Sequence, residues 1–260
     1  MNGSIIQRKS FLKNKKSLFH IISFLLSIFV FFALWFLFSW KIDSEIILPY
    51  PEMVFHKILD FLCSGKFWNN FLFSFIRILS AFFISIILGF LLGIISGKNS
   101  YIKEFLKFPI VFLRVCPVIS LILVVLYWFN SSVIPVFVSI LITLPVMITS
   151  ISDSFNNKNQ KLYDMAKIFD YTKIQNFIYI ELPALKPFFW SSASNIFGLS
   201  WKVVIAGEIM CIPKKGIGSL LQTNSVHLET ASVFALTLIV IIFSFLLEYL
   251  FSLFVKSRNK

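Results

Sequence analysis

The chain has 260 residues, of which 58% are hydrophobic and 14% charged, and its 24 lysines and arginines against 12 acidic residues give a net charge of +12. This composition lies outside the range of soluble globular domains and predicts an all-α integral membrane protein. The positive charge does not indicate nucleic-acid binding, because the cations are spread over many loops rather than gathered on one surface.

Six apolar runs approach the roughly 20 residues that a helix needs to cross a bilayer. They are residues 18–40, 71–96, 105–129, 133–151, 183–209 and 231–255. Most lysines and arginines outside these runs fall in the N-terminal segment 1–17, in the loops after the second and fourth runs, and in the tail 256–260. Because positively charged loops stay cytoplasmic, we expect a multi-pass protein of the inner (cytoplasmic) membrane with both termini inside. The first run is long and lacks a small-residue cleavage pattern, so it predicts an uncleaved helix.

The segment 47–65 follows the first run on the outer side. It begins with an LPYP turn and continues as a short amphipathic helix, with Val54 and Ile58 on the apolar face and Glu52 and Asp60 on the polar face. We expect this helix to lie at the membrane surface.

Glycines recur every four residues in the second run, at Gly89, Gly93 and Gly97. They leave a groove in which another helix can approach closely, either within one subunit or from a second subunit. The stretch 93–99 resembles a phosphate loop only faintly, since it lacks the spacing and the Ser or Thr that hold magnesium, so we expect no ATP binding by this chain. The three cysteines and three histidines show no ligand spacing, so no metal site is predicted.

A polar, basic insert at 157–187 separates the fourth and fifth runs. Apolar residues at helical spacing form one stripe in its first half. The stripe consists of Leu162, Met165, Ala166 and Phe169. Thr172 and Gln175 have the form of a capping box that starts a second helix, which runs up to Leu182 and Pro183. The pattern predicts a cytoplasmic helix–turn–helix with an exposed apolar stripe, or else an amphipathic loop lying on the membrane.

The same insert resembles the EAA loop of ABC-importer permease subunits, whose pattern is E-A-A, then a glycine, then an I-x-L-P ending. Asp164, Met165 and Ala166 stand at the E-A-A positions, and residues 180–183 read I-E-L-P. Asp164 and Met165 depart from the pattern, and so does Asp170, which replaces the glycine. Asp is among the few residues other than glycine that tolerate a positive φ.

The resemblance covers nearly the whole chain. It is most specific to permeases of the nitrate/sulfonate/taurine type, which are also similar to permeases for thiamine-precursor pyrimidines and riboflavin. The segments that carry it are LPYP at 48–51, SFIRI at 74–78, LRVCP at 113–117, GLSWKV at 198–203, AGEI at 206–209 and GIG at 216–218. Their order and spacing together make the resemblance specific.

The resemblance implies a type I ABC importer permease fold with six transmembrane helices and no catalytic residue. Such permeases pair as dimers, usually of identical chains, and each chain places its cytoplasmic helix in a cleft of an ATPase subunit. ATP binds to that subunit, so the permease has no cofactor of its own, while an extracytoplasmic binding protein delivers the solute. The solute would be a nitrate-, sulfonate- or taurine-like anion or a thiamine-precursor-like compound. The residues that would couple to the ATPase are Leu162, Asp164, Met165, Ala166, Phe169, Asp170, Leu182 and Pro183.

Charged and amphipathic residues inside the spans are the candidates for a solute pathway, because a charge there usually faces protein or water. Arg77 is near the outer end of its span and could snorkel, whereas Arg114 either lines the pathway or pairs with a carbonyl. Lys202 would attract an anion, and Glu208, about 120° away around the helix, is not an obvious partner for it. Trp201 either stacks on a planar solute or anchors the helix at the interface.

Two other classes of protein remain as alternatives. A membrane enzyme would need buried acid–base or metal-ligand constellations within the spans, and none is visible in the sequence. A self-contained channel or secondary transporter should show internal repeats or an acidic residue at mid-membrane.

Overall fold

The computed structural model describes residues 22–23, 26–155 and 160–258, and these residues form helices and short connections. The expectations for segment 1–17, the first residues of the first span, residues 157–159 and residues 259–260 lie outside the described residues. The helices are α1 Leu26–Ile42, α2 Pro51–Cys63, α3 Gly65–Lys98, α4 Ser100–Val115, α5 Val118–Val125, α6 Ile134–Ser154, α7 Gln160–Ile168, α8 Lys173–Asn176, α9 Leu182–Cys211, α10 Ile217–Val226 and α11 Thr230–Arg258.

Three of the described helices are long and apolar enough to cross a membrane: α3, α6 and α11, or four spans if the bent pair α4–α5 counts as one. The α1 helix is a shorter apolar helix. The α9 helix is 30 residues long but is not in this group. It is less apolar because serines, Asn195, Lys202 and Glu208 interrupt its apolar residues.

The run predicted as the third span, residues 105–129, is not one continuous helix. It forms two helices, α4 and α5, that meet at an angle of 100°. Cys116 is extended, with φ −63° and ψ 127°, and Pro117 caps the start of α5. The reason is local: the ring of Pro117 disfavours helical geometry at the preceding residue and supplies no N–H for a continuing helix.

The α6 helix lies at the centre of the bundle, between α3 and α9. The glycine face of α3 packs against it, and its glycines lie opposite Met147, Ile151 and Phe155. A methyl group added at Gly93 would come within 2.7 Å of Ile151 Cβ, so only glycine permits this approach. Ser85 and Thr143 hydrogen-bond across the same contact at 2.7 Å. The glycine groove is therefore filled from within the subunit.

The α2 helix begins at Pro51, and its polar Glu52 and Asp60 are exposed while Val54 is fully buried. Val54 packs with Trp35 of α1 and Ala235 of α11. The indole N–H of Trp35 donates to the carbonyl of Pro49 at 3.2 Å. The amphipathic helix predicted from the sequence is therefore present, and its apolar face is buried against α1 and α11.

Candidate functional site

The turn of the hairpin α7–α8 is built around Asp170. Asp170 has a φ of 50°, the left-handed conformation that the sequence comparison suggested for this position. The N–H of Tyr171 donates to the carbonyl of Ala166 and the N–H of Asp170 to that of Lys167, at 2.9 and 3.3 Å. This pair of bonds is a Schellman motif, which satisfies the last carbonyls of α7 and reverses the chain. Aspartate thus adopts the left-handed conformation that favours glycine at a helix end.

The start of α8 is fixed by the predicted capping box, which the structure confirms. The Thr172 hydroxyl accepts from the N–H of Gln175 at 3.3 Å, and the Gln175 side-chain oxygen accepts from the N–H of Thr172 at 2.9 Å. Both bonds satisfy donors that a helix start leaves open. Two local motifs therefore define the geometry of the hairpin.

The hairpin exposes a group of large apolar side chains, here called the hairpin patch. Its members are Leu162, Met165, Ile168, Phe169 and Ile174. Phe169 is 68% exposed. Ala166 is only 5% exposed and faces the protein, so the assignment of Ala166 to the exposed stripe was wrong. Ile168 was missed, because it lies beside the stripe rather than on it. Asp164 and Pro183 are exposed, and Leu182 is half-buried.

The C-terminal end of α3 contacts the segment that joins the hairpin to α9. Phe177–Glu181 forms a π-helical turn between α8 and α9. Lys98 Nζ lies 2.6 Å from Glu181 Oε2 and 4.4 Å from the centre of the Phe177 ring. Burial, and secondarily the charge of Glu181, raises the pKa of the Tyr163 phenol on α7. These contacts connect the hairpin to α3 through one buried carboxylate.

A buried polar cluster, here called the outer cluster, joins α3, α9 and the loop before α10. Arg77 Nη1 lies 2.6 Å from Glu208 Oε1, and Glu208 is 0% exposed. The Ser74 hydroxyl donates to Glu208 at 2.6 Å, and the N–H of Gly218 donates to it at 3.0 Å. Arg77 also donates to the carbonyls of Lys215 and Ser132 at 2.7 and 3.2 Å. The carboxylate and guanidinium are thus both paired and hydrogen-bonded, as a buried ion pair requires.

The outer cluster corrects two sequence-based expectations. Arg77 does not snorkel, because its side chain points to Glu208 and is buried. Glu208 is not on an exposed pathway surface. The segments SFIRI, AGEI and GIG, which carried much of the family resemblance, meet here. Helical spacing could not reveal the contact, since Arg77 and Glu208 are 131 residues apart.

Trp201 is also misassigned by the sequence, as it is 1% exposed and belongs to the central core. Its ring lies 6.2 Å from the rings of Phe71 and Phe75 on α3. It therefore neither anchors α9 at an interface nor is available to stack on a solute.

Lys202 differs from its neighbours because it is exposed. It shares one face of α9 with other exposed residues that are polar or small, here called the α9 stripe. The stripe consists of Ser191, Asn195, Lys202 and Ala206. A polar face on a helix of a membrane bundle is stable only against water or another protein surface. The helical spacing of these residues in the sequence could have predicted that they share one face of α9.

Arg114 is near the end of α4 and contacts α6. Its guanidinium donates to the hydroxyl of Thr149 and, at 3.5 Å, to the carbonyl of Pro145. No group of three or more His, Cys, Asp or Glu side chains in the described part of the chain could hold a metal ion.

Comparison with known proteins agrees with this architecture. The model of the family described as "binding-protein-dependent transport system inner membrane component" matches residues 85–260. The taurine transport system permease protein TauC of Escherichia coli (strain K12) is 22% identical over 223 residues, covering 82% of this chain and 80% of TauC. The bicarbonate transport system permease protein CmpB of Synechococcus elongatus is 28% identical over 171 residues, covering 64% of this chain and 61% of CmpB.

The putative aliphatic sulfonates transport permease protein SsuC of Bacillus subtilis (strain 168) is 23% identical over 195 residues, covering 74% of this chain and 70% of SsuC. The family match extends over more than half of the sequence and includes the hairpin, α9 and the loop before α10. The chain therefore belongs to the family of binding-protein-dependent transport system inner membrane components, as an integral-membrane ABC permease of the nitrate/sulfonate/taurine type.

Proposed function

We propose that this chain forms the translocation pathway of an ATP-driven importer, as one of two identical permease subunits in the cell membrane. ATP is bound and hydrolysed by separate ATPase subunits on the inner side, and an extracytoplasmic binding protein delivers the solute. The chain crosses the membrane six times, with α1, α3, the α4–α5 pair, α6, α9 and α11 as the spans and both termini in the cytoplasm. The permease is itself non-catalytic.

The hairpin patch is the observation that carries the proposal. Its exposed leucine, methionine, isoleucines and phenylalanine stand on a hairpin fixed by the Schellman turn at Asp170 and the capping box at Thr172. An exposed apolar group on a rigid element is typical of a protein–protein contact. We infer that the patch docks into the ATPase subunit.

The link from the hairpin to the spans runs through Glu181. The ATPase subunits move the hairpin when they close on ATP, and the Lys98–Glu181 ion pair carries that movement to α3. Because α3 packs on α6 through its glycine face, the two helices shift together. Access to the solute then alternates between two packed arrangements of the bundle.

The α9 stripe is our candidate for the pathway surface. It places Lys202 and the amide of Asn195 on an exposed face at the depth of the spans. Two copies of the chain would bring two such stripes together around a hydrated path. A lysine on that path favours an anionic solute, and several relatives of this chain are named for taurine, bicarbonate or aliphatic sulfonate transport. We propose a small oxyanion as the solute.

The decisive experiment is Phe169→Asp in the complex of this chain with its ATPase subunit. Burying an exposed phenylalanine contributes about 2 kcal/mol, so its loss should weaken docking of each hairpin by roughly thirtyfold. Uptake into proteoliposomes should fall, and less ATPase subunit should copurify. Lys167→Asp puts the same side chain on the polar side of α7, where Lys167 is exposed, and should change neither result.

A Phe169→Asp chain that copurifies with the ATPase and transports at the wild-type rate would refute the docking assignment. A wild-type chain that conducts solute in liposomes without any ATPase subunit would instead support the alternative of a self-contained channel or secondary transporter.

A further inference from the structure

A cavity of about 240 Å³ with several charged residues in its lining lies between α4 and α6, on the side of the bundle that carries the basic inner loops. Its charged lining comes from Lys103, Glu104, Lys107 and Arg114 of α4 and Asp153 of α6, and Thr149 adds a hydroxyl. The cavity has room for about eight water molecules at roughly 30 Å³ each. It is therefore large enough for a small ion with part of its hydration shell.

The cations of this cavity are not equivalent. Lys107 Nζ lies 2.8 Å from Glu104 Oε1, and Lys103 Nζ lies 3.4 Å from Asp153 Oδ1. Arg114 contacts the neutral Thr149 hydroxyl and Pro145 carbonyl, and no carboxylate among the described residues forms an ion pair with it. The cavity thus holds three cations and two acids, and the excess positive charge belongs to Arg114.

The position of Arg114 in the span indicates that its positive charge needs a partner. It lies 11 residues along α4 from Lys103, about 16 Å deeper by helical rise, next to the break at Cys116 and Pro117. A cation at that depth is costly unless it faces water, a protein partner or a ligand. The cavity provides room for water or a ligand beside Arg114. The planar guanidinium donates from two nitrogens in a geometry that matches the paired oxygens of an oxyanion.

We propose that this cavity is an oxyanion site on the inner half of the permease, with Arg114 as the anchoring cation. It takes a sulfonate, sulfate, carboxylate or hydrogencarbonate group. Glu104 and Asp153 hold the two lysines and limit the net charge, so the site binds weakly enough to release its anion. The role of this site as the place where solute pauses before release rests on the proposed importer function. The binding of an anion to the site does not depend on that function.

The test uses a chain without native cysteines (Cys63, Cys116 and Cys211→Ser) that carries Val111→Cys in the cavity wall, in nanodiscs and without the ATPase subunit. The probe is an anionic sulfonatoethyl methanethiosulfonate, compared with its cationic trimethylammonium analogue at constant ionic strength. We expect faster labelling by the anionic reagent and protection by inorganic sulfate. Arg114→Gln should raise the sulfate concentration needed for half-protection about tenfold, as expected for loss of a charge-assisted contact.

Lys57→Gln on the outer helix α2 is the control and should leave protection unchanged, and Arg114→Lys should retain part of it. Elution of each variant as a folded species is checked by size-exclusion chromatography. Equal labelling by both reagents after correction for their intrinsic reactivity, or sulfate protection that persists in Arg114→Gln, would overturn the site. Because no ATPase is present, this outcome is separate from a failure of the Phe169→Asp experiment, which concerns the importer function.

Discussion

The outer cluster allows one stability prediction to be worked through in detail. Glu208→Gln keeps the size of the side chain and one acceptor oxygen, but it removes the charge that faces Arg77. Glu208 is fully buried and the Arg77 side chain is only 10% exposed, so the guanidinium would be left without a counter-charge. Removing one partner of a buried ion pair costs about 3 to 5 kcal/mol. We take about 3 kcal/mol, since Gln can still accept from Ser74 or Gly218.

At about 2 to 4 °C of melting temperature per kcal/mol, Glu208→Gln should lower the Tm of the detergent-solubilised chain by about 6 to 12 °C. Fluorescence-detected size-exclusion chromatography after heating measures this shift. The exposed Glu45→Gln is the control and should stay near the wild-type value. The double variant Arg77→Gln/Glu208→Gln should lose less than the sum of the single variants, by about 1 to 2 kcal/mol. A Tm for Glu208→Gln within a degree of wild type, or strictly additive losses, would refute the ion-pair reasoning.

Three further predictions concern packing, the hairpin turn and the pathway. Gly93→Ala should destabilise the chain by about 1 to 3 kcal/mol through overpacking against α6, seen as a lower Tm, whereas Gly65→Ala, with open space around it, should not. Asp170→Gly should preserve ATP-coupled uptake, while Asp170→Ile should impair it, since a β-branched residue in the left-handed region adds about 1 to 2 kcal/mol of strain; equal uptake by both variants would contradict this. Lys202→Gln should raise the KM for an anionic solute without loss of assembly, measured by uptake, and Lys186→Gln at the inner end of α9 should leave the KM unchanged.

The hairpin was predictable because its determinants are local. The Thr172–Gln175 capping box and the left-handed residue at Asp170 depend on residues only a few positions apart, and the structure contains both. The helical bounds of α6, α9 and α11 lie within a few residues of the predicted spans for the same reason. Local patterns of polarity and turn chemistry are fully visible in one sequence.

The outer cluster was not predictable, because it depends on how distant helices are rotated against each other. On its own helix the nearest cation in sequence to Glu208 is Lys202, whereas the actual partner, Arg77, comes from α3. Trp201 shows the same limit: the chemistry of tryptophan suggested a membrane-interface anchor or a stacking contact with solute, but packing places it in the core. The burial of a side chain is set by all of its neighbours in space, and few of them are close in sequence.

The break between α4 and α5 has a consequence for the energy of an ion that crosses beside it. The two helices have 16 and 8 residues, about 24 and 12 Å in length, so neither alone covers the roughly 30 Å of hydrocarbon. The last carbonyls of α4 and the first N–H groups of α5 lack helical partners, and in a bilayer they require water or protein. Water that hydrates these groups would shorten the low-dielectric stretch that an ion has to cross beside the break. The electrostatic barrier at this point of the bundle would then be narrower than the membrane itself.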